Sequence, residues 1–391
     1  MYNRFFGKTI NESYSFFLFG PRGTGKTSWL KEKIPNGLYI DLLNQETFFD
    51  LLKTPHKIES MIPTGFKEWI IIDEIQKIPV LLNEVHRLIE KNRYKFILTG
   101  SSSRSLKRQG TNLLAGRALY YKMFPLTAIE LGTDFVLEKS LRYGHLPTIY
   151  SQSVNPEEYL QSYIHLYLKE EVMQEGLTRN AGAFARFLQV ASFSQGSTVN
   201  TTEIAREVSI ERKTVEDYFQ ITEDLLLATR VPVFTKKAKR KTITHSKFYY
   251  FDVGIYRSLR PMGPFDRPEE AEGPALESLV FQEIQAINSY FNFGYEIYFW
   301  RTVDKLEIDF ILYGKNGIVG IEVKRSTKIN SDDLKSLKIF QSDYPIAKLY
   351  LFYGGTQRLY FDQIEAIPIT EALKNLPSIL AQNDIRTNLN S

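Results

Sequence analysis

The chain has 391 residues, 43% hydrophobic and 24% charged, with a formal net charge of +4; this suits about two to four domains with buried cores, and the charge is too small to name a partner. It has no cysteine, which excludes disulfides and thiolate zinc sites, and its five histidines (56, 86, 145, 165, 245) are scattered without metal-ligand spacing. The N-terminus carries no signal-peptide pattern and no apolar run approaches the ~18 residues of a membrane span, so the expectation is a soluble cytoplasmic protein with no membrane contact.

Phe16 to Trp29, FFLFGPRGTGKTSW, reads as a short apolar strand, a glycine-rich turn and the first turn of a helix. Gly20, Gly25, Lys26 and Thr27 fit G-x-x-x-x-G-K-[ST]. Glycines let the backbone curl until successive N–H groups point at phosphate oxygens, and the helix that starts near Lys26 adds the positive end of its dipole. The expected nucleotide contacts are Gly20, Pro21, Arg22, Gly23, Thr24, Gly25, Lys26, Thr27 and Ser28. Lys26 would reach the β- and γ-phosphates of ATP, and the Thr27 hydroxyl would ligate Mg²⁺.

Leu38 to Asp41 (LYID) is a second short strand. Glu68 to Gln76 reads EWIIIDEIQ, and its apolar run Trp69 to Ile72 suits a strand buried on both faces of a parallel sheet. Asp73 and Glu74 close that strand, where ligands bind in open α/β sheets. Asp73 would hold the magnesium through its water shell and Glu74 would polarise the attacking water. A second carboxylate directly after the first argues for hydrolysis, since a pure binding site needs no base.

Val80 to Asn92 is helical. Lys95 to Leu98 (KFIL) is a fourth strand, ending in Thr99-Gly100-Ser101-Ser102-Ser103-Arg104. Thr99 or Ser101 could sense the γ-phosphate; equally, the loop could be a set of helix N-caps. Arg104, Arg108 and Arg117 follow, any of which could be donated to a neighbour's γ-phosphate to stabilise transition-state charge.

Residues 1–125 thus read as a P-loop α/β domain with a mostly parallel sheet. Residues 126–180 become helical, with Pro156-Glu157-Glu158 opening a helix that runs to Gln174, and suit a lid. Residues 181–260 have the rhythm of a winged helix-turn-helix. Thr201 to Glu207 is a short helix with a Thr cap, Val208-Ser209-Ile210 a tight turn, and Glu211 to Leu227 a second helix. Arg212 and Lys213 begin that helix, where base or phosphate contacts are made. Arg230 to Lys247 then carries seven Lys or Arg and no acid, with Lys236, Lys237, Lys239, Arg240 and Lys241 as a near-continuous run. Such a stripe suits phosphate contacts, and before the strand-like Phe248 to Phe251 it reads as a wing; a solvated loop or a protein-docking module would share the pattern.

Residues 261–391 hold the second chemical signal. Gly273 to Gln285 is helical and carries Glu277; Leu306 to Tyr313 is a strand, Gly314 to Gly317 a turn, and Ile318 to Lys324 the return strand. With Tyr313 opposite Ile318, Asp309 falls opposite Glu322, and strand alternation puts Glu322 and Lys324 on one face. Two carboxylates and a lysine then converge, and a Mg²⁺ or Mn²⁺ held by Asp309 and Glu322 would relieve their repulsion. Lys324 could orient or activate a metal-bound water against a phosphodiester. This is the D…E-x-K pattern of the PD-(D/E)xK nuclease core; in the nucleases this pattern resembles, an acid on the preceding helix, here Glu277, joins the metal ligands. A polar-faced hairpin, or a nuclease fold kept as scaffold, would show the same residues.

Taken together the chain resembles the AAA-type P-loop ATPases whose C-terminal half is a widespread bacterial and archaeal domain of unknown function. The markers are GPRGTGKT at 20–27, IIIDEIQKIP at 70–79, ILTGSSSR at 97–104, LLAGR at 113–117, PLTAIEL at 125–131, and the Glu277, Asp309, Glu322 and Lys324 set. The resemblance implies a P-loop ATPase domain with helical lid, a winged helix and an α/β nuclease-like end. It also implies a homo-oligomer, often a ring, in which Arg104 or Arg117 would serve as an arginine finger. One departure is that the family's paired glycines before the proline near 147 stand here as Gly144-His145-Leu146-Pro147. The leading expectation is an ATP-hydrolysing protein that processes DNA, branched or single-stranded, with Mg²⁺-dependent cleavage at the C-terminal site. The alternative is an ATP-driven remodelling motor or nucleotide-gated switch with a silent nuclease fold.

Overall fold

Strands β1 (Ser15–Phe19) and β3 (Trp69–Asp73) are buried at every position, which is why their apolar residues are consecutive rather than alternating. With β2 (Leu38–Asp41), β4 (Lys95–Gly100) and β5 (Ala118–Lys122) they form a parallel sheet in the order β2-β3-β4-β1-β5. The edge strands β2 and β5 are the less buried ones. The structure, a computed structural model, describes residues 2–102, 114, 116–151, 154–168, 180–264 and 266–381.

By its contacts the chain divides into two compact units, one of Arg4–Pro125 with Gln220–Leu227, the other of Met1–Asn3, Leu126–Phe219 and Ala228–Ser391. In the first, Phe17, Phe19, Ile70, Ile72, Phe96 and Leu98 share a core with Leu81, Leu82, Val85 and Leu88 of the helix Leu81–Asn92. Each such side chain contributes about 1.5–3 kcal/mol on burial. Because all five strands run the same way, the C-terminal ends of β1, β3 and β4 lie along one edge. That edge receives the glycine-rich turn, Asp73-Glu74 and Thr99-Gly100.

The second unit begins with short helices. Asn155 caps the helix Pro156–Ser162 by accepting from the N–H groups of Glu157 and Glu158, and the chain continues as a π-helical turn over Tyr163–Leu168; the rest of the helix expected to Gln174 lies outside the described residues. The helix Ala181–Ser192 is followed by Thr201–Val208 and by the helix Arg212–Asp224, of which the residues to Phe219 belong to this unit. The cap of the middle helix is Asn200, not a threonine: its side chain accepts from Glu203 N–H, and Ser209 at φ 59° closes the other end. Strand β6 (Ala228–Val231) pairs antiparallel with β7 (Lys247–Tyr250), and the segment around Gln195 to Val199 lies along the other side of β7.

A six-stranded mixed sheet follows, in the order β12-β13-β11-β10-β9-β8. Its strands are β8 (Glu296–Arg301), β9 (Glu307–Gly314), β10 (Gly317–Lys324), β11 (Lys348–Tyr353), β12 (Leu359–Phe361) and β13 (Ile364–Pro368). Leu334, Leu337 and Phe340 of the helix Ser331–Asp343 pack against Trp300, Ile308, Ile311 and Leu349. The hairpin β9–β10 keeps the expected register, Tyr313 opposite Ile318, but its turn is tighter: Gly314 and Gly317 also pair, leaving Lys315 and Asn316 as the connection.

Candidate functional site

In the loop after β1, Gly23 and Gly25 sit at φ 81° and 92°. The helix Lys26–Lys33 starts at once from Gly25. Thr24 is buried, its hydroxyl donating to the Pro21 carbonyl at 2.9 Å. Arg4, also buried, donates to the Thr24 carbonyl at 3.0 Å and to the Phe124 carbonyl, tying the loop to the segment after β5. The Lys26 ammonium turns into the loop, donating to the carbonyls of Gly20 at 2.6 Å and Pro21 at 3.1 Å. Arg22 and Ser28 are exposed.

Below the loop, the Thr27 hydroxyl donates to Asp73 Oδ2 at 3.1 Å, and the Tyr39 hydroxyl donates to the same oxygen. The parallel pairing explains Tyr39: β2 runs beside β3 with Asp41 level with Asp73, which carries Tyr39 along the same edge. Asp73 Oδ1 is buried with no hydrogen-bond partner among the described residues, and so is Thr99 Oγ1. Glu74 turns away from the strand in the left-handed region, φ 61°. Burial pushes its carboxyl above the ordinary value, against the nearby Lys26 charge. The Gln76 side-chain amide donates both to Glu74 and, at 3.2 Å, to Ser101 Oγ. Gly100 makes room for this: a Cβ there would lie 2.0 Å from Gln76 Oε1.

These residues fit a magnesium nucleotide. The donor set of hydroxyl and carboxylate oxygens suits a hard cation, and the unpartnered Asp73 Oδ1 points to one. Of the expected sensors, Ser101 is engaged by Gln76 and Thr99 is the buried hydroxyl without a partner. Arg117 is ion-paired to Glu90 of its own chain. Arg104 and Arg108 lie outside the described residues.

At the C-terminal set the Asp309 N–H donates to Glu322 Oε2 at 3.3 Å, and the Val323 N–H to Asp309 Oδ2 at 2.9 Å. Lys324 Nζ lies 2.6 Å from Glu322 Oε1. The residue that sequence reasoning missed is Lys247. Its side chain is 1% exposed, and its ammonium lies 2.6 Å from Glu307 Oε1, 3.0 Å from Asp309 Oδ1 and 3.5 Å from Glu277 Oε2. The Tyr249 hydroxyl donates to Glu277 Oε2 at 3.2 Å.

At the expected metal site of Glu277, Asp309 and Glu322, the Lys247 ammonium lies against Glu277 and Asp309. As arranged the residues do not fit a divalent ion, because a lysine ammonium takes the point on which Glu277 and Asp309 converge. Among the described residues no group of three or more acidic or histidine side chains is placed to hold a metal. Burial alone would depress the Lys247 ammonium; Tyr249, Asp309, Glu277 and Glu307 outweigh it and hold it above the ordinary lysine value. Burial, reinforced by Asp309 and opposed by Lys247, pushes Glu277 up to about 7. Burial and Asp309 likewise raise Glu322, against Lys324. Lys324, despite its burial, is raised by Glu322 and Asp309. Alternation points Lys247 the same way as Tyr249, a relation that holds only because the buried strand begins at Lys247 rather than at Phe248.

The expected basic wing is anchored at both ends to β8. Val233 bridges to Phe299 and Thr242 to Thr302, and Phe234 is buried against Tyr298, Tyr313, Phe340 and Tyr344. Arg240 forms two contacts with Asp343, at 2.6 and 3.3 Å, and the Lys236 ammonium lies over the Tyr313 ring. Lys237, Lys239 and Lys241 are exposed. Arg212 donates to Thr201 Oγ1 at 3.1 Å, while Lys213 is exposed. Gly144 and His145 form a buried joint: His145 N–H donates to Asp252 Oδ2 at 2.8 Å, and its ring Nδ1 lies 2.7 Å from the Leu126 carbonyl and 3.3 Å from Glu283 Oε1.

Comparison with known proteins agrees with the first of these sites. Residues 12–132 match the model of a family described as "AAA domain". Residues 135–266 match "Domain of unknown function (DUF8612)" and residues 272–372 "Domain of unknown function (DUF4143)". An uncharacterised protein of Mycobacterium tuberculosis, Rv2008c, is 26% identical, the alignment covering 94% of this chain and 82% of that protein. One of Haemophilus influenzae is 21% identical over 81% of this chain and 80% of its own length. MJ1544 of Methanocaldococcus jannaschii is 23% identical over 76% and 72%. Among solved structures, the Aeropyrum pernix ORC1 protein in complex with DNA covers 63% of this chain and 86% of its own, at 13% identity and a TM-score of 0.23. Protein VC1899 from Vibrio cholerae covers 95% and 98%, at 10% identity and a TM-score of 0.22. Both scores are too low for a shared fold to be inferred, and the assignment rests on the domain match and the loop geometry. Together these support an AAA-type P-loop ATPase domain over residues 12–132.

Proposed function

We propose that the chain is an ATP-driven, nucleotide-gated module acting on nucleic acid, whose C-terminal domain has the layout of a PD-(D/E)xK nuclease but serves as a scaffold. The carrying observation is the meeting of Lys26 and Thr27 with Asp73 and Glu74 at one sheet edge. Loop N–H groups from Gly20 to Thr27 would cradle the phosphates, and Lys26 would swing from its carbonyl partners to the β- and γ-oxygens. Thr27 and Asp73 would hold Mg²⁺, which when bound neutralises phosphate charge. Glu74 takes the proton of the attacking water, and burial raises its basicity for that task. Gln76 orients Glu74 and connects it to Ser101.

Nucleic acid as the partner is supported by the order of elements between 181 and 250. A helix, a short strand-like segment, two helices and a hairpin in that sequence support the winged-helix reading, with Lys213 exposed at the start of the third helix. The exposed Lys237, Lys239 and Lys241 add phosphate-binding charge on the loop that β8 holds. In an assembly of copies, Arg104 or Arg117 would reach the neighbour's γ-phosphate. A second reading, Mg²⁺-dependent cleavage at Asp309, Glu322 and Lys324, has the β9–β10 register in its favour. It is separated from the first by incubating linear, flapped and four-way DNA with Mg²⁺ or Mn²⁺, with and without ATP. Cutting that vanishes in Asp309→Ala establishes the second reading; ATP turnover with intact DNA supports the first.

A further inference from the structure

We propose that Lys247 is the resident cation of the C-terminal cluster: one buried ammonium does there what a divalent metal does in a nuclease of this layout. The inference deepens the scaffold reading above and rests on it.

An ammonium has three N–H donors and no acceptor. Lys247 meets three carboxyl groups, one each from Glu277, Glu307 and Asp309. These come from the helix Pro268–Tyr290 and from β9, whereas Lys247 comes from β7. The lysine therefore ties the hairpin that follows the helix-turn-helix to the C-terminal sheet. It has little freedom to leave. Its backbone pairs with Val231 on one side and bridges to Thr198 on the other, and its ammonium lies 5.5 Å from the centre of the Phe299 ring. A Mg²⁺ or Mn²⁺ needs about six oxygen ligands around one point, and here that point holds a like charge. Removing Lys247 would leave several acids buried together without a cation, an arrangement that a divalent ion would relieve.

The test is Mn²⁺ binding to the full chain, read from the loss of the free-ion electron paramagnetic resonance signal, without nucleotide and in an Asp73→Asn background that removes the P-loop site. With Lys247 in place no Mn²⁺ is bound. Lys247→Ala gains about one Mn²⁺ per chain, and adding Asp309→Asn abolishes it. If Lys247→Ala folds only when Mn²⁺ is supplied, and Asp309→Asn removes that rescue, the gain is the same. Mn²⁺ bound with Lys247 present and lost on Asp309→Asn overturns the inference, as does a Lys247→Ala protein that folds without metal and stays blind to it. DNA cleavage separates the two claims: Mn²⁺ bound without cleavage sinks the resident-cation inference alone, and Mn²⁺ bound with Asp309-dependent cleavage sinks the scaffold reading as well.

Discussion

The side-chain amide of Gln76 donates to the carboxylate of Glu74 and, through the same nitrogen, reaches Ser101 on the loop after β4. The proposed base is thereby held by a residue two positions along the chain, and the holder touches the segment expected to sense the γ-phosphate. Gln76→Ala should lower the ATP turnover rate about tenfold while leaving KM within about twofold, because a positioning contact acts on the transition state more than on binding. Gly100→Ala, whose Cβ would lie 2.0 Å from Gln76 Oε1, should do the same. Steady-state ATPase kinetics decide this; an unchanged rate in both variants removes Gln76 from the mechanism.

Lys26→Ala should abolish nucleotide binding, since the buried ammonium is the cation aimed into the loop. Tight ATP binding retained in that variant, measured by calorimetry, would refute the phosphate-loop assignment. Tyr39→Phe is expected to be milder. Asp73 Oδ2 keeps Thr27 as a partner, so loss of the phenol should weaken magnesium-nucleotide affinity by a factor of about two to ten, as for one ordinary hydrogen bond.

Gly144 lies at φ 69°, and a Cβ there would come 2.0 Å from Asp252 Oδ1. Gly144→Ala should therefore cost about 1–3 kcal/mol of stability. Denaturant titration measures it, and a midpoint equal to that of the unaltered chain would show that the joint around His145 yields freely.

The C-terminal cluster predicts a pH dependence. Glu277 has its folded-state carboxyl raised from 4.5 to about 7, so the folded chain binds a proton more tightly than the unfolded one. Its contribution to stability is present below 4.5 and is lost as pH rises through about 7. Glu277→Gln should flatten the stability profile across that window, by about 1–3 kcal/mol. Chemical denaturation at a series of pH values reads this directly; parallel profiles for the two proteins would contradict the assignment.

Much of the first site was legible because its residues are contiguous. A glycine loop after an apolar strand, and paired acids after another, are local patterns, and consecutive burial in β1 and β3 follows from parallel pairing. Tyr39 was not legible, since only the neighbouring of β2 and β3 brings it to Asp73. The β9–β10 register could be counted from the turn, so Asp309 and Glu322 were placed correctly relative to one another. Lys247 was missed for a different reason. It closes a basic run that reads as a solvated wing, but Phe234 is buried and the run is pinned to β8, which leaves its last lysine inside. Composition could not distinguish a lysine that solvates a loop from one that neutralises a buried cluster.

The most direct test of the account is ATP turnover by the full chain, with and without DNA and at low and high salt, with the DNA recovered from the same tubes and sized. The account predicts turnover that DNA stimulates in a salt-sensitive way, that Glu74→Gln lowers by about 10²–10⁴-fold, and that leaves the DNA uncut. Turnover indifferent to Glu74→Gln, or DNA cut in a manner that requires Asp309, would contradict it.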